Sequence, residues 1–195
     1  MTRIDDVSFD LLFREARTFS GWQERGVAPE LLEQVYEMMK WGPTSMNVSP
    51  MRVMFVSSVE AKEKLKPCLM AGNVKQTMAA PVTAIFANDL AFYERMNVLW
   101  PHSDVRGMFE GKADFAEKFA MRSGTLQAGY FMIAARGLGL DCGPMSGYNN
   151  AAVDAAFFEG TSWRSNFLCN LGYGDRSQLR PRGARLSFAE VAKVV

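Results

Sequence analysis

The 195-residue sequence predicts an α+β fold, and three observations lead there. Stretches with helical spacing of apolar residues outnumber stretches rich in β-branched and aromatic ones. The strand candidates do not alternate one for one with helices, as a doubly wound parallel sheet requires. A long helical stretch, residues 113–136, is lined with small side chains and reads as a buried central helix. The length fits one domain over residues 1–195.

Residues 5–16 read as a first helix, with Val7, Phe9, Leu11, Leu12 and Phe13 as its apolar face; Gly21 ends any continuation. Pro29 suits a helix first turn, and Leu31, Leu32, Val35, Tyr36, Met38 and Met39 follow at helical spacing. Residues 52–57 are β-like. A capping box pairing Ser57 with Glu60 then opens another helix. A short helix over 73–78 precedes a buried-type strand over 81–87. Residues 88–112 are irregular and aromatic-rich, a candidate lid. In the helix over 113–136, Ser123, Gly124, Ala128, Gly129, Ala134 and Ala135 leave room for another helix to approach, as at a subunit interface. Gly137 to Gly143 leads into Pro144-Met-Ser-Gly-Tyr148, then a short helix capped near Asn149 or Asn150. Residues 163–171 form the last core strand, before an arginine-rich tail over 176–195.

Composition excludes several classes. Lys and Arg number 22 against 21 Asp and Glu, a formal net charge of +1, so no global basic excess exists to hold a nucleic acid. No apolar run approaches membrane length, and the N-terminus is too polar for a secretory signal. Cys68, Cys142 and Cys169 are odd in number and widely spaced, which argues against a zinc site or disulfide framework and for the reducing cytoplasm.

Candidate chemistry narrows quickly. Gly137-x-Gly139-x-x-x-Gly143 misses the dinucleotide fingerprint by one residue and follows a helix instead of a strand. Ser146 is not in a nucleophile elbow, and the single histidine, His102, lies in the irregular excursion, so a Ser-His hydrolase is disfavoured. The segment from Trp41 to Pro50 offers hydroxyls and an amide with almost no charge. It suits a neutral hydrogen-bonding ligand, and equally a solvated turn. Arg17, Arg182 and Arg185 lie far apart in sequence; if they converge, their guanidinium forks would hold one phosphate.

Taken in order, Arg17-Thr-Phe-Ser20, Pro43-Thr-Ser-Met-Asn47, Asn73-x-x-Gln76, Pro144-Met-Ser-Gly147 and Arg182 to Arg185 resemble the nitroreductase family of FMN-dependent oxidoreductases. The resemblance covers essentially the whole chain. Arg17-Thr18 with Gly21-Trp22, and the ending Pro181-Arg-x-x-Arg185-Leu-x-Phe188, look most like the branch that reduces malonic semialdehyde in pyrimidine breakdown.

The resemblance implies a three-layer fold with a mixed central sheet, and an intertwined homodimer with the tail reaching the partner. FMN would sit at the interface, with NADPH or NADH as co-substrate. Arg17, Arg182 and Arg185 would hold its phosphate. Thr18, Phe19 and Ser20 would line the ribityl and ring region, and Asn73 and Gln76 the pyrimidine edge. Pro43, Thr44, Ser45 and Asn47 would come from the partner, while Pro144, Met145, Ser146 and Gly147 pass beneath the ring. No side chain is required as nucleophile or base, because the flavin carries the hydride. Many family members have lysine where this chain has Gly21 and Gln76, and glutamate where it has Ser146. The implied reaction is ping-pong reduction of a small aldehyde, with quinones, nitroarenes or enoyl compounds as other oxidants. A non-catalytic flavin-binding dimer and a phosphate-ester hydrolase remain open.

Overall fold

Four strands form one sheet: β1 (Met51–Val56), β2 (Val82–Asp89), β3 (Asp141–Met145) and β4 (Trp163–Gly172), in spatial order β1-β2-β4-β3. This is seen in a computed structural model that describes residues 2–195. All neighbouring strands are antiparallel. Among the described residues the parallel part of the expected mixed sheet is confined to one isolated bridge, Thr18 to Cys142.

Strand β2 is buried at every position, so both sheet faces are covered. Ala84 and Phe86 point to one layer, with α2 (Pro29–Met39) and α6 (Ala113–Gly137) supplying Leu32, Val35, Met39, Ala128, Phe131 and Ala135. Ile85 and Ala87 point to the other, where α3 (Val59–Leu65) and α7 (Asn150–Phe157) contribute Leu65 and Val153. The result is three layers, helix on sheet on helix. Phe131 sits at the seam, its ring 5.1 Å from Phe86 and 6.0 Å from Phe55.

The small residues of α6 let neighbouring elements of the same chain approach closely. Ser123, Gly124, Ala128 and Ala135 are buried against the chain's own sheet, and a Cβ at Gly124 would overlap the Asn88 amide. They admit the sheet and α2, whose Leu32, Val35 and Met39 pack with Ala128 and Ala135, while a Cβ at Gly129 would meet open space. The outward face carries Met121, Leu126 and Tyr130.

Three local readings shift. The first helix, α1 (Asp6–Phe9), widens into a π-helical turn over Asp10–Arg14. Helix α3 is capped by Ser58, whose hydroxyl accepts from the Ala61 N–H at 3.2 Å, one residue beyond the expected Ser57. Strand β3 was not expected, because Gly143 and Pro144 disguise it; as an edge strand it tolerates a proline that cannot donate. Helix α4 (Ala71–Ala79) and the Asn149 cap of α7 agree with expectation.

The excursion is ordered around its own apolar cluster. Phe92, Met96, Val105 and Phe109 pack with Ala116 and Ala120 of α6 and with Val48, and α5 (Met96–Leu99) lies within it. The tail ends in α8 (Phe188–Val191), opened by a capping box between Ser187 and Glu190.

Candidate functional site

A cleft of about 530 Å³ lies between the end of α1, the tail and the C-terminal end of α6. Five arginines line it: Arg17, Arg136, Arg180, Arg182 and Arg185, with Thr18, Ser20 and Gln178. Their guanidinium groups rest on backbone carbonyls. Arg17 donates to Arg180 O, Arg182 to Arg14 O at 2.7 Å and Ala16 O at 3.0 Å, and Arg185 to Gly183 O and Ala184 O, both at 3.0 Å. The π-helical turn ends at Arg14, whose carbonyl Arg182 uses. Among the described residues no carboxylate forms an ion pair with any of the five. Arg136 donates from Nη1 to Leu12 O at 3.1 Å, while its buried Nε has no partner among the described residues. Uncompensated guanidinium charge with a spare buried donor favours an anion of phosphate type.

The cleft is assembled by close backbone packing of residues 18–23. Phe19 N–H donates to Cys142 O at 3.1 Å, Gln23 N–H to Tyr173 O at 2.8 Å, and Asp175 N–H to Gly21 O at 3.0 Å. This clamps the segment between β3 and residues 173–175. Glycine is required where the chains meet. A Cβ at Gly143 would overlap Phe19 O, and one at Gly21 would fall on the Gln178 amide. A side chain at position 21 would have to displace the exposed end of Gln178. The Phe19 ring is 2% exposed and packed over Gly174, so within this chain it is the backbone of residue 19 that runs beside the cleft.

A second, neutral wall adjoins this segment. Asn73 Nδ2 donates to Gly147 O at 2.8 Å, Gln76 Nε2 donates to Asn73 Oδ1 at 2.7 Å, and Trp22 Nε1 donates to Gln76 O at 3.2 Å. Thr77 Oγ1 donates to Met145 Sδ at 3.4 Å. The expected grouping of Asn73 and Gln76 with Pro144 to Gly147 is thus present, and Ser146 is exposed on it. The smallness of Gly147 has a cause within the chain, since a Cβ there would overlap the Asn73 amide.

Behind this wall lies a buried cation. Lys62 Nζ donates to Thr77 O at 2.8 Å and to Thr83 Oγ1 at 2.7 Å. Burial holds its pKa down at about 8. Folding therefore lowers this pKa from 10.5, and the unfolded chain binds more protons between those values. Stability should rise with pH through that window, by at most about 1.4 kcal/mol per unit from this group, and be lost again as pH falls through 8. Denaturation of the wild type and Lys62→Met at pH 7.5 and 9.5 checks this. The difference between the two proteins should shrink at the higher pH.

The segment carrying Pro43, Thr44, Ser45 and Asn47 does not line the cleft of its own chain. It lies before β1, with Asn47 Nδ2 donating to Leu99 O at 3.0 Å in the excursion. Its backbone is strained: Met46, Asn47 and Ser49 have φ of 52°, 54° and 39°. Such clusters of left-handed residues persist where a site needs them. Sequence reasoning missed Arg136, Arg180 and Gln178 as lining residues, and Lys62 behind the wall. Arg136 at a helix C-terminus reads as an ordinary dipole partner, and only the fold shows where it points.

The three cysteines are free and buried. The adjacent Cys142 thiol, with burial, raises the Cys169 pKa well above its usual range. Among the described residues no group of His, Cys, Asp and Glu could hold a metal, and no helix is long and apolar enough to cross a membrane.

Comparison with known proteins gives a consistent result. The Nitroreductase family model matches residues 16–173. A Burkholderia lata protein provisionally named NADH dehydrogenase/NAD(P)H nitroreductase is 50% identical over 194 residues, covering 100% of both chains. A provisionally named nitroreductase from Exiguobacterium sibiricum, solved in complex with FMN, superposes with a TM-score of 0.86 at 19% identity, over 100% of this chain and 99% of that one. A provisionally named NAD(P)H:FMN oxidoreductase from Staphylococcus epidermidis gives 0.84 at 19% identity, over 100% and 98%. A match over the span from Ala16 through Tyr173, with half of all residues shared with a relative covered over its whole length, means that the chain belongs to the nitroreductase family.

Proposed function

We propose that this chain is an FMN-dependent NAD(P)H oxidoreductase that reduces malonic semialdehyde to 3-hydroxypropionate in pyrimidine degradation. The observation that carries the cofactor reading is the five-arginine cleft without carboxylate partners, beside a neutral wall of amides and backbone. Guanidinium groups that line the cleft without a carboxylate partner are what a phosphate would pair with, so the residues present fit FMN at its charged end. Relatives bearing NAD(P)H nitroreductase names, and a neighbour of the same fold solved with FMN, support it.

Bound FMN would supply two-electron hydride chemistry, drawing on NADPH or NADH and serving an electrophile in ping-pong order. Arg17, Arg182 and Arg185, with Arg136 beneath them, would fix the phosphate. Asn73 and Gln76 would hydrogen-bond the polar ring edge, and the backbone at Pro144 to Gly147 would support the ring from below. The strained loop with Pro43, Thr44, Ser45 and Asn47 would reach the site of a partner subunit. In the excursion, Arg95, Arg106 and His102 would face a small carboxylate; Arg106 now pairs with Glu110 at 3.0 Å on the surface. The free thiols fit a reducing cytoplasm.

A homodimer belongs to this reading. Trp41, Met38, Leu126 and Tyr130 are exposed at 79, 60, 46 and 39%. Gly42 lies against the Tyr130 ring, which joins the end of α2 to the outward face of α6. Apolar side chains on one surface of this kind mark an interaction site. Light scattering should give twice the chain mass. A monomer at micromolar concentration with FMN bound would contradict the shared site.

A second reading, a general nitroreductase or quinone reductase, is favoured by the relatives' names. The discriminating quantity is kcat/KM for malonic semialdehyde, menadione and a nitrofuran at saturating NADPH. The proposal expects turnover of the aldehyde. Should it give none while either aromatic exceeds about 10⁴ M⁻¹s⁻¹, the general reading replaces it. A non-catalytic flavin-binding dimer would retain FMN without bleaching by NAD(P)H, and a phosphate-ester hydrolase would need no flavin.

A further inference from the structure

Lys62 is 5% exposed, and both of its hydrogen-bond partners, Thr77 O and Thr83 Oγ1, are neutral. A buried ammonium without a carboxylate is costly, and an apolar side chain of similar volume would serve packing better. The surroundings are nevertheless arranged for it. Thr83 Oγ1 donates to Asn170 Oδ1 at 2.7 Å, which turns a hydroxyl lone pair toward the ammonium. Asn170 Nδ2 lies 3.4 Å from Thr77 Oγ1, which donates onward to Met145 Sδ. Thr77 follows Gln76 directly, and Met145 precedes Ser146 and Gly147. The chain of dipoles therefore runs from Lys62 to the neutral wall. Among the described residues Lys62 is the one cation that hydrogen-bonds into that wall.

We propose that Lys62 is a positioning residue for charge: it holds a fixed positive charge behind the Asn73–Gln76–Met145 wall and stabilises negative charge acquired by a redox ring bound against it. This rests on the FMN reading above. A hydride brings two electrons and one proton, so the ring that accepts it gains one negative charge. Asn73, Gln76 and Ser146 carry none to offset it. The other charged groups around Lys62 are turned to solvent or engaged elsewhere. Glu60, Glu63 and Lys64 of α3, Lys66 just after it, Lys75 of α4 and Arg164 of β4 are exposed. Asp154 of α7 accepts from Ser165 N–H at 2.8 Å, and Asp89 of β2 pairs with Arg52. Burial, which already favours the neutral amine, makes Lys62 responsive to a nearby anion.

The test is the two-electron midpoint potential of the FMN-loaded protein at pH 7, for wild type and Lys62→Met. The proposal expects Lys62→Met to favour reduced over oxidised FMN at least tenfold less, a fall of about 30 mV. Thermal unfolding is measured alongside, since a merely structural lysine would change stability and leave the potential alone. If Lys62→Met does not fold, the Lys62 Nζ titration is followed by NMR in oxidised and reduced wild type. By reciprocity its pKa must rise on reduction. A potential within about 10 mV of wild type, roughly twofold, or a pKa unmoved by reduction, overturns the inference while the FMN reading stands. A wild type that retains no FMN overturns both.

Discussion

Replacing Arg17 or Arg182 by alanine should weaken FMN binding by about 1.5–3 kcal/mol each, the range for a hydrogen bond to a charged group, or roughly ten- to a hundredfold in Kd. Both side chains line the cleft and, among the described residues, no carboxylate pairs with them; only neutral backbone carbonyls accept from them. The double variant should be weaker than either single one, though not additive, because both would act on one phosphate. Lysine at either position should recover part of the loss, since it restores charge without the planar fork. Arg182 also ties the tail to Arg14 O and Ala16 O, which offers a second explanation for any loss. Riboflavin separates the two. It lacks the phosphate, so its affinity should hardly change if the arginines act through that group, and should fall in parallel if the cleft has simply come apart. Fluorescence titration of both flavins decides the matter.

Replacing Phe131 by alanine should cost about 3–5 kcal/mol of stability, the usual loss for a buried aromatic, out of a total on the order of 5–15. Phe131 is fully buried between α6 and the sheet, edge-on to Phe86 and tilted toward Phe55. It is the main apolar bond between the long helix and the strands, and Ala128 and Ala135, one turn either side, are too small to fill the space. For a chain of this size the loss corresponds to a melting temperature lower by roughly 6–20 °C. The effect bears on the site, because α6 carries Arg136 into the cleft from its last turn. Calorimetry is the check; a shift of one or two degrees would mean that α6 is seated by something else.

Much of the layer structure was legible in the chain, and for a physical reason. The helical spacing of Leu32, Val35 and Met39 and the apolar run Ala84 to Ala87 of β2 are each set by a single buried face or by two. Strand β3 was not legible, because edge pairing is a backbone property and Gly143-Pro144 carries turn chemistry on its face. The burial of the Phe19 ring was not legible either. Between Thr18 and Ser20 the residue looks like part of a ligand-lining segment, but Gly174 opens a slot in the core that its ring fills. The sequence could only raise the convergence of Arg17 with the arginines of the tail as a condition, and the structure brings them into one cleft. Arg136 and Lys62 stayed hidden. One ends a helix and the other sits in the lysine-rich run of α3, where an exposed face is the ordinary expectation and only the packing of Thr77, Thr83 and Asn170 shows otherwise.

The account stands most directly on whether this cleft and wall hold FMN and expose it to a nicotinamide donor. The purified protein, mixed with FMN and passed through a desalting column, should emerge yellow, with flavin bound at one per chain. NADPH or NADH added without oxygen should then bleach the visible band by two electrons per flavin. Protein that emerges colourless after incubation with excess FMN, or whose bound flavin neither nicotinamide can bleach, would contradict the central claim.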